Sequence, residues 1–166
     1  MFRATAEQIS ASGLSQALQN ALWVVPVSQS VHIISLSVLF ASAAMINLRL
    51  LGVGRSGRSV SQLVHTLVPW MWRALLLCLI TGTIQTITEP VRQFVTPIYW
   101  MKMGLIAVLA VLTAWFARTV RANAADWDAE STRPVIASVF AIGSTLAWLT
   151  VIAFGRFIGY VWTLYA

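Results

Sequence analysis

The residues from Val24 to Leu51 constrain this chain more than any other stretch. No charged side chain occurs between Val24 and Arg49. About 25 residues in a row are therefore apolar or small and polar, which is enough to cross the hydrocarbon core of a bilayer as a helix. The stretch predicts a transmembrane helix with some length to spare for tilt.

The composition extends this prediction to the whole chain. Its 166 residues are 58% hydrophobic and only 10% charged, with a mean hydropathy of +0.79. Soluble domains carry about 25% charged residues, so a water-facing surface cannot be built from this sequence. We expect one all-α membrane domain over residues 1–166. The net charge of +6 comes from arginines that flank apolar segments, which indicates membrane topology rather than a nucleic-acid partner.

Four spans are predicted, at about 24–51, 59–88, 97–119 and 134–163, in an up-down-up-down four-helix bundle. Glycines follow the first span, and Glu89-Pro90 ends the second before a short loop. Small residues, including Gly104, Gly143 and Gly155, are expected to let the helices approach closely. The segment of about 6–22 is either an amphipathic interfacial helix or a frayed polar tail. The acidic residues of the 121–133 loop (Asp126, Asp128 and Glu130) are expected to be solvated.

The arginines predict how the chain is threaded. Two loops carry most of them, at Arg49, Arg55, Arg58, Arg118, Arg121 and Arg133, whereas the opposite side has Arg3 and Arg92. The positive-inside rule then places both termini in the periplasm, if the membrane is a bacterial inner membrane. Aromatic belts are expected at the outer surface (Trp23, Tyr99, Trp100, Tyr160, Trp162 and Tyr165) and at the inner one (Trp115 and Phe116).

Ionisable side chains inside the spans are candidates for function, because burying them in a membrane is costly. They are His32, His65, Arg73, Lys102 and Arg156, and the predicted spans contain no Asp or Glu. The charge within the membrane therefore has one sign. Lys102 and Arg156 lie near span ends, where their side chains can also reach lipid phosphates. Arg73 lies deeper, and its partner is a backbone carbonyl freed by Pro69, an acid of another subunit or a bound anion.

A ligand pocket is predicted in the outer half of the bundle. Gln29 and His32 of the first span, Lys102 of the third and Arg156 of the fourth would line it, with Arg73 as a further anion ligand. Such a pocket suits an anionic or carbonyl-bearing head group, such as a lipid phosphate, a haem propionate or a quinone oxygen. The alternative is that these polar residues only join the helices of the bundle.

The two histidines also raise the question of haem b, since two imidazoles on facing helices can ligate one iron. If the first two spans form a hairpin, His32 is level with Cys78 and His65 with Met45. The histidines then differ in depth by about 13 residues, or about 20 Å, and cannot hold one haem within a single protomer. A His65–Met45 pair, or His32 used across a subunit boundary, remains as the metal-ligand alternative.

A group of short motifs resembles a largely uncharacterised family of small four-helix bacterial inner-membrane proteins. The motifs are Pro26 and His32, NLRLLG (47–52), Pro69-Trp70, Thr81-Gly82, Lys102-Met103 and Gly155-Arg156. The resemblance implies a multi-pass protein of that membrane. The chain departs from the family pattern at Asn47, where Asp is usual, and near Gln29, where an acidic residue is usual. More distantly, the bundle is similar to di-haem cytochrome b and copper-resistance membrane domains, which use more histidines than this chain has.

Three hypotheses for function follow. The first is a non-catalytic membrane subunit that associates with itself or with a redox or transport complex and holds an amphiphile; its partners are membrane lipid and other subunits. The second is electron transfer through b-type haem, on the basis of His32 and His65. The third is transport of a small anion or solute, on the basis of Arg73.

Overall fold

The computed structural model describes residues 2–53, 57–129 and 135–161, and these residues form eight α-helices. In chain order the helices are α1 (Phe2–Ser10), α2 (Gly13–Asn20), α3 (Val24–Leu50), α4 (Val60–Thr88), α5 (Pro90–Val95), α6 (Pro97–Ala122), α7 (Ala124–Asp128) and α8 (Val135–Val161). No strand occurs among the described residues.

Four of these helices, α3, α4, α6 and α8, are long and apolar enough to cross a membrane, with 26 to 29 residues each. The all-α class and the four spans are thus confirmed, and the chain is a multi-pass membrane protein. The observed ends differ from the predicted ones by only a few residues; α6, for example, continues to Ala122 instead of ending near residue 119. Pro134, Arg55, Arg133, Glu130, Trp162 and Tyr165, which entered the sequence predictions, lie outside the described residues.

The four long helices form a ring. Helix α3 packs along α4, α8 packs against α3 and α6, and α6 closes the ring against α4. The centre is apolar and buried, with Leu39, Leu109, Trp148 and Val151 contributed by three of the helices. Large apolar side chains such as Ile33, Leu76 and Val111 point outward and are more than half exposed, as expected of surfaces that face lipid.

The connection from α3 to α4 is closed by local hydrogen bonds. Gly52 has a positive φ of 89°, which glycine adopts without strain. Its amide donates to the Arg49 carbonyl (3.1 Å) and the Val53 amide to the Leu48 carbonyl (2.9 Å), which is the Schellman pattern. Ser59 and Gln62 then form a capping box at the start of α4. We refer to this end of the bundle, which holds the 51–59 turn and α7, as the basic end.

The segment after α6 differs from the expected loop. It contains the short helix α7, and the carboxylate of Asp128 is not merely solvated as predicted. It accepts hydrogen bonds from the Ser61 amide (3.0 Å) and from the Ser61 hydroxyl, in the first turn of α4. The negative charge of Asp128 also lies near the positive end of the α4 dipole, which is a favourable arrangement. Asp128 therefore ties α7 to α4 across the basic end.

The opposite end of the bundle, here called the cap end, is covered by α1, α2 and α5. The frayed-tail alternative for the N-terminal segment is wrong, because α2 docks through buried polar contacts. Ser15 is fully buried and donates to the Ile87 carbonyl (2.7 Å), and the Gln19 amide donates to the Thr88 carbonyl (3.0 Å). These carbonyls belong to the last turn of α4 and have no partner within the helix. A short helix, α5, also replaces the loop expected after Glu89-Pro90.

Two packing predictions are wrong. Phe116, expected in an aromatic belt, is 3% exposed and stacks on Phe140 with ring centroids 4.6 Å apart. Gly104 and Gly143, expected at close helix contacts, have no heavy atom within 4 Å of the position that a Cβ would take. Trp23, Trp100, Trp115 and Tyr160 do lie exposed near the ends of the spans, where a belt was expected.

The Asp128 contact predicts a stability effect that depends on pH. Burial alone would raise the pKa of the Asp128 carboxyl, but the hydrogen bonds from Ser61 outweigh it and hold the pKa below its ordinary value of 3.8. The stabilisation is therefore complete above that ordinary value and is lost as the pH falls through the lower folded pKa. We expect Asp128→Asn to lower the unfolding free energy at pH 7 by about 0.5–1 kcal/mol, discounted for solvent exposure.

Urea unfolding in detergent as a function of pH measures this effect. Asp126→Asn is the matched control, because Asp126 is exposed on the same short helix. The assignment is wrong if both variants unfold like the wild type at pH 7, or if Asp128→Asn keeps the same acid sensitivity as the wild type.

The Ser15 and Gln19 contacts predict that the N-terminal segment is anchored by them. The double change Ser15→Ala and Gln19→Ala removes the donors to the carbonyls of Ile87 and Thr88, and leaves those carbonyls unpaired. Each lost bond costs about 1 kcal/mol, so α1 and α2 should open more often. Hydrogen exchange of residues 2–20 should accelerate about tenfold or more, whereas Gln16→Ala, at an exposed position of the same helix, should leave it unchanged.

Candidate functional site

Several polar side chains lie at a similar depth of the bundle, in the half nearer the cap end. The His32 ring of α3 lies against α4, with Nδ1 2.8 Å from the Thr81 hydroxyl and Cε1 3.6 Å from where a Cβ on Gly82 would be. One turn below, the Cys78 thiol lies 3.8 Å from the His32 carbonyl. The prediction that His32 and Cys78 are level is therefore confirmed. This register follows from the small number of residues between α3 and α4, which limits how far the two helices can shift along one another.

Lys102 reaches the same level from α6. Its Nζ lies 3.6 Å from the position that a Cβ on Gly155 of α8 would take, so the side chain rests on the bare backbone of that glycine. The ammonium interacts electrostatically with both His32 and Cys78. Lys102 is half-buried, and its ammonium lies against α8. We call His32, Cys78, Thr81, Gly82, Lys102 and Gly155 the His32–Lys102 site; all four spans contribute to it.

The other predicted pocket residues lie elsewhere. Gln29 is exposed on α3, although Ser28 and Ser35, which share its predicted face, are buried. Arg156 is exposed, with its guanidinium 5.2 Å from the ring centroid of Tyr160. Of the four residues expected to line the pocket, the structure brings together His32 and Lys102 and leaves Gln29 and Arg156 on the outer surface.

Arg73 also lies on the outer surface, near the middle of α4. Its guanidinium is 5.2 Å from the ring centroid of Trp70, a cation–π contact one helical turn away. The helix continues through Pro69 from Val60 to Thr88. Arg73 therefore faces whatever surrounds the bundle and does not take part in the His32–Lys102 site.

The two histidines that were candidate metal ligands are far apart. His65 precedes Thr81 by 16 residues on α4, which is about 24 Å along the helix axis. It is exposed and lines a groove at the basic end with Gln62, Thr66 and Arg121. Met45 is 51% exposed on α3. Among the described residues, no group of three or more His, Cys, Asp or Glu side chains is placed to hold a metal ion.

Two polar features of the interior were missed by sequence reasoning. The Asn47 amide donates to the Ser144 hydroxyl and to the Thr145 hydroxyl, both at 2.9 Å, and joins α3 to α8 in the other half of the bundle. The amide nitrogen of Gln85 is buried with no hydrogen-bond partner among the described residues. Gln85 follows Thr81 by one turn and Cys78 by two, on the stripe of α4 that faces the interior. The helical spacing of Cys78, Thr81 and Gln85 could have indicated from the sequence that Gln85 faces the interior.

The chemistry available at the site is recognition. It offers a cation and an imidazole, and the four described spans hold no carboxylate to neutralise the cation. The buried amide nitrogen of Gln85 lies one turn from Thr81 along α4. A nucleophile with an adjacent base does not occur there: the Cys78 thiol faces a carbonyl oxygen, and the Thr81 hydroxyl donates to the Leu77 carbonyl at 2.7 Å. Charge-assisted hydrogen bonding to an oxygen of a ligand is what the arrangement favours.

The model of DUF6644, described as a family of unknown function, matches residues 19–161, which include α3 to α8 and the last two residues of α2. Neither the curated proteins nor the solved structures contain a match to the chain. The match begins at Gln19, so α1 and most of α2 precede the matched region.

Proposed function

The chain belongs to the DUF6644 family, and we propose that it is a non-catalytic membrane subunit that holds the polar head of an amphiphilic or anionic ligand, such as a lipid, a quinone or haem, at the His32–Lys102 site. The single observation that carries this proposal is the position of Lys102. Its ammonium lies where α6 meets α8, against Gly155, and the four described spans contain no Asp or Glu to act as a counter-charge.

Energetics support a ligand at this position. A lysine placed at the centre of a membrane helix costs about 2.5–3.5 kcal/mol, and less near the interface. Lys102 follows Pro97, the first residue of α6, by five residues, so snorkelling toward the surface was open to it. Its Nζ instead lies against Gly155 of α8, where an anionic or carbonyl oxygen would stabilise it.

An amphiphile is favoured over a water-soluble anion because of the surroundings. The bundle presents apolar side chains to the lipid on every span, so a ligand with a hydrocarbon tail can leave the tail in the membrane and place its head between the helices. A hydrophilic anion would have to cross the same apolar surface without such compensation.

Association with other subunits is supported by Arg73. This guanidinium is exposed on the outer surface, 13 residues after the first residue of α4, which is about 20 Å along the helix. Arginine at such a depth is rarely left facing lipid and usually meets a polar partner. A second copy of this chain, or another membrane protein, would supply that partner.

A bacterial inner membrane with both termini in the periplasm is the proposed location. Arg49, Arg58, Arg118 and Arg121 lie at the basic end among the described residues. The two arginines at the cap end are each paired with a glutamate, Arg3 with Glu7 (3.3 Å) and Arg92 with Glu89 (2.7 Å). This asymmetry supports a cytoplasmic basic end under the positive-inside rule.

The alternatives are less well supported. For b-type haem, His32 and His65 are separated by about 24 Å along the bundle, so one iron could not join them within a protomer. For transport of an anion or solute, Arg73 would need to line a route through the bundle, whereas it faces outward onto Trp70.

Replacing Lys102 tests the proposed site. We expect native mass spectrometry of the full chain, purified in mild detergent, to show a co-purified amphiphile that Lys102→Met loses by about tenfold or more. Arg156→Met, which removes an exposed cation from the same half of the bundle, should retain it. A visible absorption spectrum of the same preparation identifies haem, if haem is the ligand. Equal ligand content in both variants, or none in the wild type, would contradict the proposal.

Replacing Arg73 tests association. We expect the wild type in mild detergent to form a dimer or larger assembly, or to co-purify with another membrane protein, and Arg73→Leu to reduce that assembly several-fold. The matched control is again Arg156→Met, since Arg156 is also exposed and also lies over an aromatic ring. Mass photometry measures the distribution. A wild-type protein that is entirely monomeric and without a partner would show that Arg73 does not serve association.

A further inference from the structure

The hydrogen bonds around Thr81 determine which nitrogen of His32 carries its proton. The Thr81 oxygen lies 2.7 Å from the Leu77 carbonyl and 2.8 Å from His32 Nδ1. A carbonyl oxygen has no proton to give, so the single hydroxyl proton of Thr81 must point to Leu77. The Thr81 oxygen is then the acceptor for His32, and Nδ1 must be the protonated nitrogen.

The second nitrogen of the ring is therefore an acceptor. A neutral imidazole protonated at Nδ1 has a lone pair at Nε2. Within the described part of the chain no donor reaches Nε2. A ligand that completes this site has to offer it a hydrogen.

The other polar groups have the opposite requirement. Lys102 carries only donors, and the buried Gln85 amide nitrogen has donors with no partner among the described residues. Leaving such a buried donor unpaired destabilises the protein. Lys102 and Gln85 thus require acceptor oxygens, whereas His32 requires a donor.

Depth limits which ligand can meet both requirements. His32 follows Val24, the first residue of α3, by eight residues, which is about 12 Å along the helix. A phosphodiester head group is strongly hydrated and has no donor of its own in the diester. An aromatic ring with hydroxyl groups is apolar enough to enter to this depth, and offers both a donor and acceptor oxygens. The aromatic cluster of Phe94, Tyr99 and Trp100, with centroids 5.4–5.8 Å apart, lies one turn away on the cap side of Lys102.

We propose that the His32–Lys102 site binds the ring of a membrane quinol. One ring hydroxyl donates to His32 Nε2, and the ring oxygens accept from Lys102 and from the Gln85 amide. This inference rests on the proposed function, since it names the ligand class of the same site. It concerns binding only, and the reduced ring is preferred because the oxidised quinone has no hydroxyl to give to Nε2.

The test uses the full chain in lipid nanodiscs and a short-tailed benzoquinol kept reduced, with the corresponding quinone as the paired probe. We expect the quinol to bind about fivefold to tenfold more tightly than the quinone, the difference of one neutral hydrogen bond. Nitrogen NMR of labelled histidine should show His32 protonated at Nδ1 before addition, and a shift confined to Nε2 after it.

His32→Asn is the informative variant, because the asparagine amide nitrogen occupies the place of Nδ1 and can still donate to Thr81, while no atom replaces Nε2. We expect it to bind quinol about as weakly as quinone, and to unfold at nearly the wild-type temperature. Gln29→Asn, at an exposed position of the same helix, is the control that should bind both probes like the wild type.

Several results would overturn the inference. They are equal affinity for quinol and quinone, unchanged quinol preference in His32→Asn, or a His32 protonated at Nε2. If neither probe binds while Lys102→Met still loses a co-purified lipid, the quinol inference fails and the proposed function stands. If no amphiphile depends on Lys102, the proposed function fails as well.

Discussion

The ends of a membrane-spanning helix leave backbone groups without partners in the helix, and the structure depends on how these groups are satisfied at the described ends of α3 and α4. Hydrocarbon offers no hydrogen bonds, so an unpaired amide or carbonyl at a helix end is costly. At the basic end, Gly52 closes α3, while Ser59 and Asp128 occupy the free amides of α4. At the cap end, the carbonyls of Ile87 and Thr88 are taken by α2. The short helices α2 and α7 therefore contribute to the stability of the long helix α4.

The same constraint explains why few polar side chains join the helices. Most buried hydroxyls bond to their own helix: Ser35 donates to the Val31 carbonyl at 2.8 Å, and Ser42 to the Val38 carbonyl at 2.7 Å. Only some reach across, as Asn47 does to Ser144 and His32 to Thr81. Small polar residues in α3 thus give close packing more than hydrogen bonding between helices. His32 and Lys102 differ from these residues, because the imidazole and the ammonium can form further hydrogen bonds.

The spans and the alignment of His32 with Cys78 could be predicted because both follow from hydropathy, length and a short turn. The contacts of Ser15 and Asp128 could not, since they join residues 72 and 67 positions apart and depend on where short helices dock. Of the four residues predicted to lie together, the structure brings together only His32 and Lys102, for a similar reason. Helical spacing groups Gln29 with His32 on α3, but a long side chain near a face boundary can turn either way. The Tyr160 ring and the lipid-facing surface draw Arg156 outward.

The positions of the cations distinguish two ways of placing a positive charge in a membrane helix. Arg73 and Arg156 lie outside the bundle on aromatic rings, where a guanidinium disperses its charge over a π face and remains open to lipid phosphates or to a partner. Lys102 has a compact charge and lies inward against Gly155, with no ring over it and no carboxylate in the described spans. The guanidinium of each arginine is stabilised by a ring of its own helix, whereas the Lys102 ammonium lies against a glycine. The proposed head group would supply Lys102 with the acceptor oxygen that no carboxylate of the four described spans provides.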